Sequence, residues 1–410
     1  MKKPGTEPGP GTSSGARWTL IRGACQVLTL RGASGPRRGI AMSDLNIIPD
    51  GAVLIRDGVI EEVGTTRRIE NLASARLARE IDATGRIVMP AFVDADIALA
   101  SPASPAGSRP GGKCETDIRR VSGRRLLGEA SSIAADLAAF GVLTVGAHTL
   151  AAPDLQNVCK ALRLHQIMQS KPLRIRSVFS VIAGSVTGEA DLARVSQVWM
   201  PAILRKKLAT LMEIPVSDET IEGARKLASA AAAAGYNIRI RVSGPTTPKV
   251  LELAYSSGAV ALIGHVPEFS DMARALADLG CVKVITASRI LAGAYVSKRG
   301  AIRDGIPLAM ASGYRSVGEA TANPQYQLNL AVHALGMTTA EAIVAVTYNA
   351  ACSLRLSHVT GSLSPGKSAD ICIMNVGDYR ELARRVGHHD TAFVMRAGKV
   401  VYRRPSLTLE

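Results

Sequence analysis

Four side chains able to serve a divalent metal or a proton-transfer step stand near the ends of presumed strands: Asp96, His148, Glu213 and His265. A catalytic zinc takes about three protein ligands from His, Asp, Glu and Cys and keeps one position open. Such a metal lowers the pKa of its bound water to about 7. Two imidazoles and two carboxylates therefore have the donors for a zinc or iron centre, if the fold brings them together. The plainer reading makes His148 and His265 hydrogen-bonded core histidines and pairs Glu213 with a nearby base. Arg241 and Arg315 suggest different chemistry, because guanidinium forks suit carboxylates. They are candidate ligand-binding residues, set against the alternative that each is paired within its own chain.

The elements that must position these groups alternate along the chain. Between residues 89 and 354, β-branched and aliphatic runs alternate with Ala-rich stretches of helical character. The runs include Val142–Val145, Arg174–Val178, Ile238–Val242, Ala259–Ile263 and Pro307–Met310, and the stretch 221–234 reads as a helix. Alternation over this length predicts an α/β fold, a (β/α)8 TIM barrel. Short strands flank it at both ends. Asp57-Gly58 between two β-prone runs signals a hairpin, and the runs at 369–373, 393–395 and 399–402 have the same style. The ends are expected to form one small composite β-sandwich domain from residues 17–88 and 355–405. Residues 1–16, rich in Gly, Pro, Ser and Thr, read as a disordered leader.

Gly85-Arg86-Ile87-Val88-Met89-Pro90, followed by Phe92-Val93-Asp94, resembles the first barrel strand of the amidohydrolase superfamily. Thr347-Tyr348-Asn349-Ala350-Ala351, Gly361-Ser362-Leu363 and Pro365-Gly366-Lys367-Ser368-Ala369-Asp370 resemble that superfamily's exit from the barrel into its small domain. Asp378-Tyr379-Arg380-Glu381-Leu382 is similar to the imidazolonepropionase group. The resemblance implies a metal-dependent hydrolase of non-peptide C–N bonds. Its metal would be held by two histidines on the first strand, a third after a middle strand, and an aspartate near the last strand. Those positions read Asp96, Ala98, Arg241 and Gly313 here, and Ser243 stands where the acid–base glutamate would be. His265 matches a histidine that contacts substrate and metal-bound water in relatives, and is the one catalytic candidate retained.

The expectation is therefore a pseudoenzyme: a barrel without a cofactor, retained to bind a small-molecule ligand, a second copy of itself or an active relative. The alternative is a working hydrolase of cyclic amides with a metal centre rebuilt from Asp96, His148, Glu213 and His265. Other features bound the context. Six scattered cysteines with no Cys-x-x-Cys pair suit reduced thiols and a cytoplasmic location. Cys281, with no His or Asp beside it in sequence, reads as a buried strand thiol. No apolar run reaches membrane-spanning length. A net charge of +15, with basic clusters at Arg119-Arg120, Arg124-Arg125 and Arg205-Lys206-Lys207, raises nucleic-acid binding. No recognition motif accompanies the charge, so a solvated basic face is the expected reading.

Overall fold

The computed structural model describes residues 16–100, 118–149, 152, 154–169, 172–264, 271–291, 299–303, 305–314 and 323–405. Nearly all of the leader, His265 and Arg315 lie outside these.

Five strands come first: β1 (Trp18–Leu28), β2 (Ile47–Arg56), β3 (Val59–Thr65), β4 (Arg79–Asp82) and β5 (Ile87–Pro90). The barrel strands follow as β6 (Phe92–Ile97), β7 (Val142–His148), β8 (Arg174–Ser180), β9 (Leu211–Val216), β10 (Asn237–Val242), β11 (Ala261–Ile263), β12 (Val282–Thr286) and β13 (Leu308–Ala311). Three more, β14 (Ile371–Met374), β15 (Thr391–Arg396) and β16 (Lys399–Arg403), close the chain.

β6 to β13 pair in sequence order, all parallel. Two backbone bonds close the ring at one end: Gly313 N–H to Asp96 carbonyl at 3.1 Å and Ala98 N–H to Tyr314 carbonyl at 2.8 Å. Helices such as Leu155–Met168, Ile221–Ala233 and Pro248–Ser256 cover the outside. Parallel strands buried on both faces need apolar residues throughout, and β7, β9 and β12 are buried along their whole length. β6 departs from regular register between Asp94 and Ile97. Such a bulge re-aims side chains at a barrel rim, and it falls at Asp96.

The termini meet as expected. β1 lies between β2 and β5, and the path runs on from β5 through β14 and β15 to β16. The Asp57-Gly58 turn forms the β2–β3 hairpin, with Asp57 at φ +49° and Gly58 at φ +86°. A Cβ on Gly58 would stand 2.3 Å from the Ala397 carbonyl oxygen. The turn at one end of the sheet thus touches the turn at the other, and the sheet curls over its own core of Ile21, Val53, Ile55, Val63, Ile371 and Met395. This domain abuts the barrel at Gly141, where a Cβ would stand 2.6 Å from Cys372 Sγ.

No described helix is long and apolar enough to cross a membrane. The basic pairs Arg119-Arg120 and Arg124-Arg125 are exposed, and Arg125 pairs with Glu129 at 2.8 Å. Cys281 is buried, and burial pushes its thiol up to about 12.

Candidate functional site

The carboxyl ends of the barrel strands, where barrel active sites are built, converge on one guanidinium. Arg241, on β10, donates from Nε to Glu213 Oε1 at 2.6 Å and from Nη2 to Glu213 Oε2 at 3.1 Å. Its Nη1 donates to Asp96 Oδ2 at 3.3 Å, and its Nη2 also bonds Asp96 Oδ1. Period-2 geometry puts Arg239 on the same face of β10, one layer deeper. Its Nη2 donates to the Ala95 carbonyl at 3.0 Å, and its Nε lies 3.5 Å from Glu213 Oε2. Ser180 on β8 donates to Glu213 Oε1 at 3.3 Å, and His148 Nε2 stands 3.5 Å from Asp96 Oδ1. The side chains of Asp96, Glu213 and Arg239 are 1% exposed and that of Arg241 14%, so this is an interior charge network with one face toward the mouth.

Its electrostatics follow from burial and sign. Burial alone would push Asp96 up, but Arg241, with His148 and Arg239, holds its carboxyl well below the usual range. Glu213 is held down in the same way by the two arginines. Arg241, facing both carboxylates, is raised in spite of its burial. Arg239 sits too deep for that, and burial keeps it below the ordinary arginine range. Two cations and two anions make a neutral quartet. Asp94 is outside it. Its Oδ1 accepts from the backbone N–H of Asp96 (3.2 Å) and of Ser312 (3.1 Å), while Oδ2 is buried without a hydrogen-bond partner. Burial pushes Asp94 up to about 6.

The described residues at the inherited positions do not fit a catalytic metal. Asp96, Arg241 and Gly313 do converge, which supports the positional match, but Asp96 is the sole ligand type among the four positions. Both of its oxygens are engaged by Arg241. Ala98 is buried and has no donor. At Gly313 (φ +66°) a Cβ would stand 2.4 Å from Ser288 Oγ and 2.9 Å from Thr286 Cβ. The space an aspartate would need there has closed. Among the described residues no group of three or more His, Cys, Asp or Glu side chains could hold a metal ion.

Of the rebuilt centre, Asp96, His148 and Glu213 come together, but as partners in the network around Arg241. His265 lies outside the described residues. Arg241 is paired internally, the second of the two readings given above, and four hydrogen bonds use four of its five N–H groups. Its suggested companion Arg315 is also outside the described residues. Sequence reasoning missed Arg239 and Ser180. The signal for Arg239 was present: Asn237-Ile-Arg-Ile-Arg-Val alternates, which puts both arginines on one strand face.

The model of the amidohydrolase family matches residues 217–401. The imidazolonepropionase of Solibacter usitatus (strain Ellin6076) is 31% identical, over 92% of this chain and 97% of its own length. That of Brevibacillus brevis (strain 47) is 30% identical, over 93% of this chain and 97% of its own. Among solved structures, the zinc complex of atrazine chlorohydrolase from Arthrobacter aurescens TC1 superposes with a TM-score of 0.73 at 16% identity, covering 95% of this chain and 97% of that one. The ochratoxinase of A. niger gives 0.68 at 15% identity, over 95% and 96%. These two likenesses are of fold. The chain belongs to the amidohydrolase family, among the relatives of imidazolonepropionase.

Proposed function

We propose that this chain is a catalytically degenerate member of its family, acting by binding a small-molecule ligand or a protein partner rather than by hydrolysis. The observation that carries this reading is Arg241, at a position where the family pattern expects a metal-binding histidine, with its fork closed on Asp96 and Glu213. A divalent ion ~4 Å from that guanidinium would meet a repulsion of about 8 kcal/mol at an effective dielectric of ~20. The carboxylates that could offset it are already spent on the arginines. Without an ion to acidify water or polarise a carbonyl, the hydrolytic step loses its main source of rate. Ser243, in place of the acid–base glutamate, removes the second.

The surroundings are consistent with a binding role. The floor of the barrel mouth is polar, and Arg241, 14% exposed, keeps one N–H outside its four bonds that a ligand oxygen could take. The described cysteines are all free, as suits a reducing compartment such as the cytoplasm. The partner in this reading is a second copy or an active relative, and sedimentation of the purified chain alone separates the two.

The test is turnover of an imidazolone acid by the purified chain, with and without added zinc or iron. The expected result is no hydrolysis above the uncatalysed rate in either case. Metal-dependent turnover would overturn the proposal and support a rebuilt centre at Asp96, His148, Glu213 and His265, active on cyclic amide C–N bonds.

A further inference from the structure

The opposite end of the barrel, where the strands begin, carries a cleft of about 740 Å3. It lies between the segment 34–38, the approaches to β11 and β12, and the turn after the helix Tyr348–Ser353. Arg38, Asp278, Arg355 and His358 are the charged or titratable groups that matter on its walls. Arg38 is neutralised by Asp278. Arg355 has no such partner: among the described residues no acid pairs with it.

A second arginine stands behind the first. Leu354 packs into the floor of the barrel, its Cδ2 standing 2.6 Å from where a Cβ on Gly146 would be. Gly146 is the register partner of Arg176 on β8. Leu354 is thereby placed one strand over from Arg176, a half-buried residue whose Nε is buried without a hydrogen-bond partner and which feels the charge of Arg355. No hydrogen bond or ion pair reaches either guanidinium among the described residues. Burial first, and then Arg355 itself, hold Arg176 below the ordinary arginine range. Two like charges have been brought together without an acid between them.

The backbone adds an independent observation. Arg355 has φ +58°, the left-handed conformation of the residue that ends a helix, where glycine is the favoured choice. Its N–H bonds the Cys352 carbonyl and the Leu356 N–H bonds the Ala351 carbonyl, contacts any residue could make. An arginine here carries backbone strain that a glycine would avoid, and its exposed side chain is not needed for the turn.

We infer that this cleft binds a small, multiply charged oxyanion through Arg355, the cation on its wall left unpaired among the described residues, with Arg176 behind it adding positive charge. Forked guanidinium donors match the oxygens of a phosphate or carboxylate group, and both chemistries satisfy the unpaired N–H groups. This site is separate from the Arg241 network and does not depend on whether that network is catalytic.

The experiment titrates inorganic phosphate and citrate separately into the full chain at constant ionic strength, by calorimetry and by thermal shift. One of the two is expected to bind saturably below about 10 mM and to raise Tm, which identifies the oxyanion class. Arg355→Gly should weaken that binding by about tenfold or more, and Arg176→Gln by a smaller factor. Without anion, Arg355→Gly should melt at or above the parent temperature, because glycine suits the backbone there. Arg355→Gly therefore decides the matter even if Arg176→Gln folds poorly. Arg404→Gln, on an exposed arginine far along the chain, should bind like the parent. The inference falls if neither anion saturates, if Arg355→Gly binds as tightly as the parent, or if Arg404→Gln weakens binding equally.

Discussion

Replacing Arg241 by Met tests the network's energetics most sharply. Four hydrogen bonds would be lost, and two carboxylates, each 1% exposed, would be left with Arg239 as their shared counter-charge. Arg239 stays 3.5 Å from Glu213, so Asp96 is the buried carboxylate that loses its hydrogen-bonded counter-charge, keeping only His148 at 3.5 Å and the more distant Arg239. Removing one partner of a buried pair costs about 3–5 kcal/mol, chiefly the burden of the stranded charge. The loss should therefore be of that size at pH 7, counted once rather than twice. Its pH dependence has a definite sign. In the parent, Asp96 is held low, so its contribution is present above its unfolded pKa of about 3.9 and absent well below it. In Arg241→Met, burial dominates and the carboxyl is raised instead, so a penalty accumulates as pH climbs from about 4 toward neutrality. The gap between the proteins should thus be widest above about pH 6 and shrink toward pH 4. Urea unfolding followed by the fluorescence of Trp199, buried beside Phe179, reads it directly. The double variant Asp96→Asn/Arg241→Met keeps the Arg239–Glu213 pair and should recover to within about 2 kcal/mol of the parent. A loss under about 1 kcal/mol in the single variant, or a gap independent of pH, would refute the reasoning.

Gly313→Asp, which puts back the acid that the family pattern expects, should destabilise by about 2–4 kcal/mol and gain no metal affinity. The cause is overpacking against Ser288 and Thr286 together with the positive φ, and denaturant unfolding measures it. Asp94 is raised to about 6, so the folded state is disfavoured progressively as pH rises from about 4 to 6. Asp94→Asn should then be more stable than the parent by up to about 3 kcal/mol above pH 7 and equal to it near pH 4, in urea titrations across that range.

Much of the fold was legible because its signals are local. Asp57-Gly58 fixed the hairpin, and the β-branched runs at 142–145, 174–178 and 238–242 lie within β7, β8 and β10. Glu213 was placed near a strand end, whereas it stands third in β9, where Leu211-Met-Glu-Ile-Pro-Val interrupts its apolar run with an acid and a proline and the barrel interior gives the acid its partners. At the site, Asp96, His148 and Glu213 could be grouped from their presumed strand-end positions, and a pairing of Arg241 within its own chain could be foreseen. Which acids it takes could not. That choice depends on the bulge in β6, which turns Asp96 toward Arg241 and leaves Asp94 to the Ser312 backbone. The closed space at Gly313 is a matter of non-local packing, and no spacing in the sequence encodes it. Adjacent residues can also differ in burial for non-local reasons: His388 is exposed, whereas His389 packs edge-on against Phe140 at 4.8 Å and is half-buried.

The central claim is that Arg241 has taken the place of the metal. Its most direct test is the transition-metal content per chain by mass spectrometry, on protein purified without affinity metal and again after exposure to zinc and iron. The account predicts far less than one ion per chain in both samples, with Arg241→Met no better. A stoichiometric ion that survives dialysis, and that is lost on substituting His148 or Glu213, would contradict it.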